Sequence, residues 1–196
     1  MNLEDLSLIN TFFVVIWIMG PAYLANAIAV LTGGKFPIDQ KKTLADGNRI
    51  LGDGKTWSGL AGGTIGGIGV GFMLNSESGN SFLRKITGAN FEEGLWGETP
   101  IIVFFLLAFG ALLGDMCASF YKRRQNLQRG EEFPILDMFD FIFMSLFLCL
   151  LFQMSWLKTW ILDGWIPIVT IVLITPILHR GVNILGYKIG IKNEPW

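Results

Sequence analysis

Five long stretches of this chain are almost free of charge, and they constrain its fold more than any other feature. They lie within residues 6–34, 57–74, 100–121, 137–157 and 165–186. A helix needs about 20 mainly apolar residues to cross about 30 Å of hydrocarbon. Only 16% of the residues are charged, against roughly 25% in soluble domains. The sequence therefore predicts an all-α, polytopic membrane protein with five transmembrane helices.

The first stretch contains Gly20-Pro21 about two thirds of the way along, and we expect a kink there. Glu4 and Asp5 precede it, where a cleavable signal peptide would carry basic residues. A signal peptide is therefore a poor interpretation of this stretch. The length of 196 residues suits one domain, so we expect residues 1–196 to form a single integral membrane domain.

The second stretch is rich in glycine, and Gly59, Gly63, Gly67 and Gly71 repeat at four-residue spacing. That spacing places them on one face of a helix. In lipid, a stripe of small residues lets a neighbouring helix approach closely. Close helix packing is one interpretation of the stripe, and a smooth wall along which a lipid chain could lie is the other.

Basic residues are unevenly distributed around the predicted spans, and the side that they favour is the cytoplasm. Twelve of the fifteen lie between spans one and two, between spans three and four, or near the C-terminus: Lys35, Lys41, Lys42, Arg49, Lys55, Lys122, Arg123, Arg124, Arg129, Arg180, Lys188 and Lys192. The opposite side has only Arg84, Lys85 and Lys158. The sequence predicts the N-terminus outside, the C-terminus in the cytoplasm and two functional cytoplasmic loops.

Charge and cysteine content exclude several classes of function. The formal net charge is −1, whereas binding to a nucleic-acid backbone requires a basic excess, so we expect no nucleic-acid partner. Two cysteines and one histidine, without CxxC or HExxH spacing, argue against zinc chemistry. Cys117 and Cys149 lie in apolar runs and are interpreted as small hydrophobic fillers.

A carboxylate lies inside the third predicted span. Asp115 precedes Tyr121 by six residues, which on a helix is about 9 Å. Ionisable groups at such a depth are costly and usually pair or serve a site. Asp115, Ser119 and Lys122 are spaced i, i+4 and i+7, so they share one helix face.

Two further carboxylates, Asp137 and Asp140, point the same way from the start of the fourth span. Complementing the helix dipole would explain Asp137, but not Asp140 one turn deeper. With Asp115 they form an oxygen-rich pocket suited to Mg²⁺. The adjacent Lys122-Arg123-Arg124 is either a membrane anchor or, beside a metal, a neutralising surface for a triphosphate.

The first inner loop concentrates polar residues at the mouth of the second span, namely Asp46, Arg49, Asp53, Lys55 and Thr56. A P-loop is excluded, because the required first glycine would fall at Arg49 and no strand precedes it. The loop is a candidate for nucleotide contact. Asn26, a polar residue in the first span, serves either interhelical hydrogen bonding or the same site.

Four strings carry a resemblance to a known family: GPAYLANA, KTLADGNRILGDGKTWSG, GALLGDMCASFYKRR and FPILDMFDF. In this order they closely resemble the archaeal CDP-archaeol synthase family. The stretch from Gly114 to Asp140 is also similar to the signature of phosphatidate cytidylyltransferases. By that similarity the metal-binding carboxylates of the cytidylyltransferase pattern correspond to Asp115, Asp137 and Asp140.

The resemblance implies a reaction in which the phosphate of an isoprenoid glycerol phosphate lipid attacks CTP, with Mg²⁺ as cofactor. It implies catalytic roles for Asp115, Asp137, Asp140 and Lys122. Nucleotide and phosphate contacts are expected from Asn26, Asp46, Arg49, Asp53, Lys55, Thr56, Ser119, Arg123 and Arg124. We expect a multi-pass protein of the cell membrane with its active site on the cytoplasmic side, and a homodimer remains open.

Two rival interpretations are weaker. A CDP-alcohol phosphotransferase requires Asp-Gly followed after two residues by Ala-Arg, and the residues after Asp46-Gly47 break that pattern. A transporter would carry acids near mid-span along a path to the far side, whereas these cluster at one face. His179 and Arg180, near the inner end of the fifth span, are interpreted mainly as snorkelling anchors, with a lipid phosphate as a second possible contact of Arg180.

Overall fold

The structure is a computed structural model that describes residues 7–88, 99–128 and 131–190. Within these ranges the chain is mostly helical. In chain order the helices are α1 (Leu8–Ile18), α2 (Gly20–Thr32), α3 (Trp57–Asn75), α4 (Glu77–Thr87), α5 (Ile101–Arg124), α6 (Pro134–Phe152), α7 (Met154–Leu157) and α8 (Ile166–Lys188). Glu4, Asp5, Arg129 and Lys192, on which the sequence-based topology partly rests, lie outside the described residues.

Helices α3, α5, α6 and α8 are each long and apolar enough to cross a membrane. Helices α1 and α2 meet the same criterion only together, as one span bent by 42°. The prediction of an all-α fold with up to five membrane spans is confirmed. The predicted bounds differ most at α6, which begins at Pro134 and ends at Phe152.

The bend between α1 and α2 lies at Met19, directly before Gly20-Pro21. Pro21 has no N–H to donate to an earlier carbonyl, and its ring fits the first turn of a new helix. The expected kink is therefore confirmed. Gly20 is required there for a second reason, since a Cβ at this position would lie 2.5 Å from the side chain of Leu74 on α3.

The glycine stripe of α3 is a packing surface. A Cβ on Gly63 would lie 2.8 Å from the Ala25 carbonyl oxygen of α2, and one on Gly67 would lie 2.5 Å from the Ala108 methyl of α5. Both distances are shorter than real contacts allow, so only glycine permits this approach. Close helix packing is thus the interpretation of the stripe that the structure supports.

Helix α5 is the most buried span, and α6 packs tightly against it. Gly114 allows the contact, because a Cβ there would collide with the backbone carbonyl of Asp140. Ser145 of α6 donates its hydroxyl to the Leu107 carbonyl of α5 at 2.8 Å. This close crossing sets Asp115, the next residue of α5, beside Asp140 of α6.

The chain leaves α6 at Gln153 and forms the short helix α7 and a π-helical turn, Lys158–Leu162, before α8. Helix α8 packs mainly on α1 and touches α6 over a short stretch. A hydrogen bond of 3.0 Å between the Tyr23 and Thr175 hydroxyls ties it to α2. The contact of α8 with α6 is short, which leaves a cleft between them at one end of the bundle.

Candidate active site

The structure brings the predicted site residues together from distant parts of the sequence at one end of the bundle. We call this the polar end, formed by the loop of residues 33–56, the end of α5 and the start of α6. The residues concerned are Asn26, Asp46, Arg49, Asp53, Lys55, Thr56, Asp115, Ser119, Lys122, Arg123, Arg124, Asp137 and Asp140.

The loop folds back on itself through backbone hydrogen bonds. Ile38 donates to the Lys55 carbonyl at 2.8 Å, and Ile50 donates to the Lys42 carbonyl at 3.1 Å. Gly47 adopts a positive φ of 79° in the turn after Asp46, a conformation that suits glycine. The loop therefore has a defined shape, and its two arms return Lys55 to the start of α3.

Asp39 organises this loop, although sequence reasoning missed it. Its side chain is fully shielded from solvent, and it accepts hydrogen bonds from the backbone of Lys41, Leu51 and Gly52 at 2.9 to 3.0 Å. It also accepts from Arg49 Nη2 at 2.7 Å and Nε at 3.1 Å. Burial opposes ionisation, but these five donors together hold the pKa of Asp39 well below its usual value.

Arg124 fastens the loop to α5. It donates to the Asp46 carboxylate at 2.8 Å and to the Arg49 carbonyl at 2.5 Å, and its guanidinium lies 5.2 Å from the ring centre of Phe120. A backbone hydrogen bond from Asn48, and then the charge of Arg124, lower the pKa of Asp46. We call the Arg49–Asp39 and Arg124–Asp46 contacts the loop clamp.

The loop clamp and the adjoining Asp53 engage four residues for which the sequence suggested nucleotide or phosphate contact. Arg49 divides its donors between Asp39 and Asp53, the latter at 3.0 Å, and contact with Asp39 raises the pKa of Arg49. Arg124 and Asp46 hold each other. The geometry gives Arg49, Arg124, Asp46 and Asp53 a role in folding the loop, and their direct contact with a substrate stays a prediction.

Two lysines pair with the predicted catalytic carboxylates. Lys55 Nζ lies 2.5 Å from Asp115 Oδ2, and Lys122 Nζ lies 2.9 Å from Asp137 Oδ2. Lys55 joins the loop to α5, and Lys122 joins α5 to α6. We call these the lysine–aspartate pairs. Their four side chains keep 14 to 36% of their surface exposed, so a ligand can reach them.

Asp140 lies deeper on α6, within electrostatic range of Asp115, Asp137 and Lys55. Its carboxylate accepts a hydrogen bond from the backbone of Phe141. Among the described residues no three acidic, histidine or cysteine side chains converge closely enough to hold a metal ion. Asp115 and Asp137 face lysines instead, so the predicted metal ligands are neighbours without forming one cluster.

A cleft of about 390 Å³ opens beside the Lys55–Asp115 pair, between α2, α3 and α5. Asn26 lines it, and the Oδ1 atom of Asn26 is buried with no hydrogen-bond partner among the described residues. The interhelical hydrogen bond that was one interpretation of Asn26 is not made there. An unsatisfied buried carbonyl is costly, and a ligand in the cleft would relieve that cost.

The remaining predicted residues lie around this cleft and the loop. Thr56 Oγ1 caps α3 by accepting from Gly59 N at 3.1 Å, and it also accepts from Gly34 N. Arg123 donates to the Leu127 carbonyl. Ser119 is half-buried on α5. Thr56 thus has a local structural role in addition to lining the cleft.

Comparisons with known proteins agree on one family. The family model described as CarS-like CDP-archaeol synthase matches residues 8–196. The CDP-archaeol synthase of Methanospirillum hungatei JF-1 is 43% identical over 179 residues, which are 91% of this chain and 100% of that protein. That of Archaeoglobus fulgidus is 40% identical over 181 residues, covering 92% of this chain and 96% of that protein.

The fold agrees with this result. A solved structure, described as an intramembrane enzyme for archaeal membrane lipids biosynthesis, superposes with a TM-score of 0.62 and shares 33% of its sequence. The match covers 86% of this chain and 92% of that chain. The resemblance inferred from the four sequence strings is confirmed. With its helical intramembrane fold and its carboxylates and cations gathered at one end, this chain belongs to the CDP-archaeol synthase family.

Proposed function

We propose that this chain transfers CMP from CTP to the phosphate of 2,3-di-O-geranylgeranylglyceryl phosphate, giving CDP-archaeol and pyrophosphate. The observation that carries the proposal is the polar end itself. The Lys55–Asp115 pair lines a cleft with an unsatisfied polar group, and the Lys122–Asp137 pair and Asp140 lie at the same end of the bundle. Family membership supplies the reaction type.

The chemistry needs little from side chains as acids or bases. A phosphate monoester is largely ionised at neutral pH, because its second pKa is about 6. An oxygen of the lipid phosphate can therefore attack the α-phosphorus of CTP directly. The new P–O bond forms as the bond to the β-phosphate oxygen breaks, and pyrophosphate leaves with that electron pair. Catalysis is then positioning and neutralisation of charge, which suits a chain with one histidine.

In the absence of substrate, the lysines and aspartates of the two lysine–aspartate pairs neutralise each other. Lys55 and Lys122 present ammonium groups from the loop and from α5, about where a triphosphate would meet the bundle. When phosphates bind, each lysine can turn from its carboxylate to a phosphate oxygen. The freed carboxylates of Asp115 and Asp137 are then available to a cation.

The carboxylates suit Mg²⁺ by type, because this ion prefers a few carboxylate oxygens and keeps positions for substrate phosphates. To hold the ion, Asp115 and Asp137 would have to turn from their lysines toward Asp140. Asp115, Asp137 and Asp140 supply the carboxylates, and the unsatisfied Asn26 Oδ1 offers a neutral oxygen in the adjacent cleft. The ion would neutralise charge on the triphosphate and the leaving pyrophosphate. We propose these residues as its holders.

We further propose that the cleft lined by Asn26 and Lys55 receives the nucleotide. Most of its wall comes from α2, α3 and α5, and it opens next to the Lys55–Asp115 pair. The excess of basic residues around the polar end supports a cytoplasmic location of this end by the positive-inside rule, and the cytoplasm is where CTP is available.

Incubation of the purified protein with CTP, Mg²⁺ and digeranylgeranylglyceryl phosphate tests the proposal. We expect stoichiometric pyrophosphate and a CDP-lipid identified by mass. Reactions that lack the lipid or the metal are the controls. A sample shown to be folded and monodisperse that makes neither product would refute the proposed function.

A further inference from the structure

A second cleft, of about 290 Å³, lies at the polar end between the start of α6 and the last third of α8. Its walls include Asp137 and Met138 on α6, and His179, Arg180 and Asn183 on α8. It shares no lining residue with the cleft beside Lys55. Asp115 lies in the wall of the cleft beside Lys55, and Asp137 lies in the wall of the second cleft.

Arg180 is chemically distinctive in this second cleft. It is exposed, and it makes no hydrogen bond or ion pair with any residue in the described ranges. Arg49 and Arg124, by contrast, donate hydrogen bonds to carboxylates, and Arg124 also donates to backbone carbonyls. A guanidinium with its fork of donors unused, beside a cleft, is suited to a phosphate or a carboxylate.

The neighbouring side chains keep this part of α8 in place. His179 stacks on Phe141 of α6, with ring centres 6.1 Å apart. Asn183 is buried, and its amide lies 3.3 Å from the His179 ring. Arg180 therefore extends from a fixed turn of helix, beside the carboxylate of Asp137.

Exposed apolar residues lie close in sequence to those that line the cleft. Ile135 on α6 is 76% exposed, and Ile177 and Leu185 on α8 are 65% and 59% exposed. In a chain whose spans lie in lipid, such side chains face hydrocarbon. A lipid with an anionic headgroup could bind with its headgroup at Arg180 and its chains along Ile135, Ile177 and Leu185.

The balance of charge permits an anion. Asp137 lines the cleft, but Lys122 neutralises it at 2.9 Å. Glu132 also lines the cleft and is exposed to solvent, where water screens its charge. With Lys122 paired to Asp137, the remaining charged residues of the cleft are Arg180 and Glu132, which balance each other, so no net negative charge opposes an anion at Arg180.

We propose that this second cleft binds the phosphate monoester of the lipid substrate, with Arg180 as the residue that holds it. The inference rests on the proposed function and deepens it, because a reaction between two phosphorylated substrates requires two sites that meet. The nucleotide occupies the cleft at Asn26 and Lys55, and the lipid phosphate occupies the second cleft. Each cleft has one of the acidic residues in its wall, Asp115 in the first and Asp137 in the second.

Steady-state kinetics of Arg180→Ala, with each substrate varied in turn, tests the assignment. Loss of a charged hydrogen-bond partner weakens binding, so we expect the KM for the lipid phosphate to rise about 10-fold or more. The KM for CTP should stay within about twofold of wild type. Arg180→Lys, which keeps the charge, should recover part of the loss. Lys188→Ala, farther along α8, is the matched control and should change neither constant.

Competition by sn-glycerol 1-phosphate, which carries the headgroup without chains, distinguishes the sources of phosphate. We expect it to compete with the lipid in wild type and to lose potency in Arg180→Ala, whereas inorganic phosphate should inhibit far less. Equal lipid KM values in wild type and Arg180→Ala would overturn the site, and so would a rise confined to the CTP KM. Product formation by wild type keeps this result separate from failure of the proposed function.

Discussion

The loop clamp and the lysine–aspartate pairs lie side by side at the polar end, and both join opposite charges, yet they differ in chemistry. In the clamp, the guanidinium of Arg49 donates two hydrogen bonds to Asp39, whose side chain is fully shielded from solvent. In the pairs, a lysine meets each carboxylate as a single point charge, and all four side chains stay partly exposed. The first arrangement resists exchange with a ligand, and the second allows it.

The difference divides the charged residues into those that shape the loop and those that we propose act on substrates. The clamp fixes the loop so that Lys55 reaches Asp115. The proposed role of the pairs is to offer carboxylates to a metal and ammonium groups to phosphates. Substitutions in the loop clamp and in the lysine–aspartate pairs should therefore have different effects. Changes to the pairs should remove activity from a folded protein, and changes to the clamp should lower stability and loosen substrate binding together.

The largest expected effect is at the carboxylates. Asp137→Asn and Asp140→Asn each should abolish turnover, because an amide replaces an anionic metal ligand with a neutral one. The proteins should remain extractable and monodisperse by size-exclusion chromatography. Asp163→Asn, which changes an acid after the π-helical turn, is the control. Near-normal turnover in either site variant would remove that residue from the proposed metal site.

Lys55→Ala should reduce kcat about 100-fold, the effect of removing one donor from a developing charge. The melting temperature should change little, since partly exposed ion pairs contribute about 1 kcal/mol or less. Lys158→Ala, an exposed lysine away from the polar end, serves as the control for loss of charge. If Lys55→Ala lowers stability strongly and leaves kcat intact, Lys55 belongs with the clamp instead.

Asp39→Asn should have an intermediate effect of a different kind. The amide cannot satisfy all five donors, and each charged hydrogen bond lost to a shielded group costs about 1 to 3 kcal/mol. We expect a lower melting temperature and a raised KM for CTP, with kcat less affected. The measurements are thermal unfolding in detergent and kinetics below the melting point. Unchanged stability would show that Asp39 does not organise the loop.

Acid should remove the contribution that ionised Asp39 makes to stability. The pKa of Asp39 is lower in the folded protein than its usual value, so its contribution to stability is full above about pH 4 and is lost as pH falls further. The melting temperature of wild type should therefore fall more steeply below about pH 4 than that of Asp39→Asn. Parallel curves for the two proteins would contradict the assignment.

The smallest expected effect is at Asp53, the second carboxylate partner of Arg49. Its side chain is 54% exposed, and an exposed ion pair contributes about 0.5 kcal/mol or less. Asp53→Asn should leave both stability and the KM for CTP close to wild type. A rise of the CTP KM by about 10-fold, worth about 1.4 kcal/mol, would instead restore Asp53 to direct nucleotide contact.

Much of this fold was predictable because lipid imposes strong rules on sequence. The spans, the kink at Gly20-Pro21 and the glycine stripe follow from segment length, a missing N–H and side-chain size. The fourth span was predicted to end at residue 157, but α6 ends at Phe152, and after Gln153 the short helix α7 begins. That break depends on packing at the end of the bundle, and hydropathy alone does not reveal it.

The candidate site was predictable as a set of residues but not as a set of contacts. Asp115 stood out because a carboxylate within an apolar span demands a partner. Asp39 did not, because an acid beside two lysines in a polar loop has no distinguishing signal in the sequence. Its five donors come from residues up to 13 positions away, and only the folded loop brings them together.

The sequence by itself determined the membrane-spanning architecture, the family and the end of the bundle at which charges gather. These properties depend on local composition and on motifs, which a linear chain displays directly. Tertiary structure decided which cation meets which carboxylate, since the ion pairs of the loop clamp and the lysine–aspartate pairs join residues 10 to 78 positions apart. It thereby divided one group of charged residues into a clamp that shapes the loop and pairs that can accept substrates.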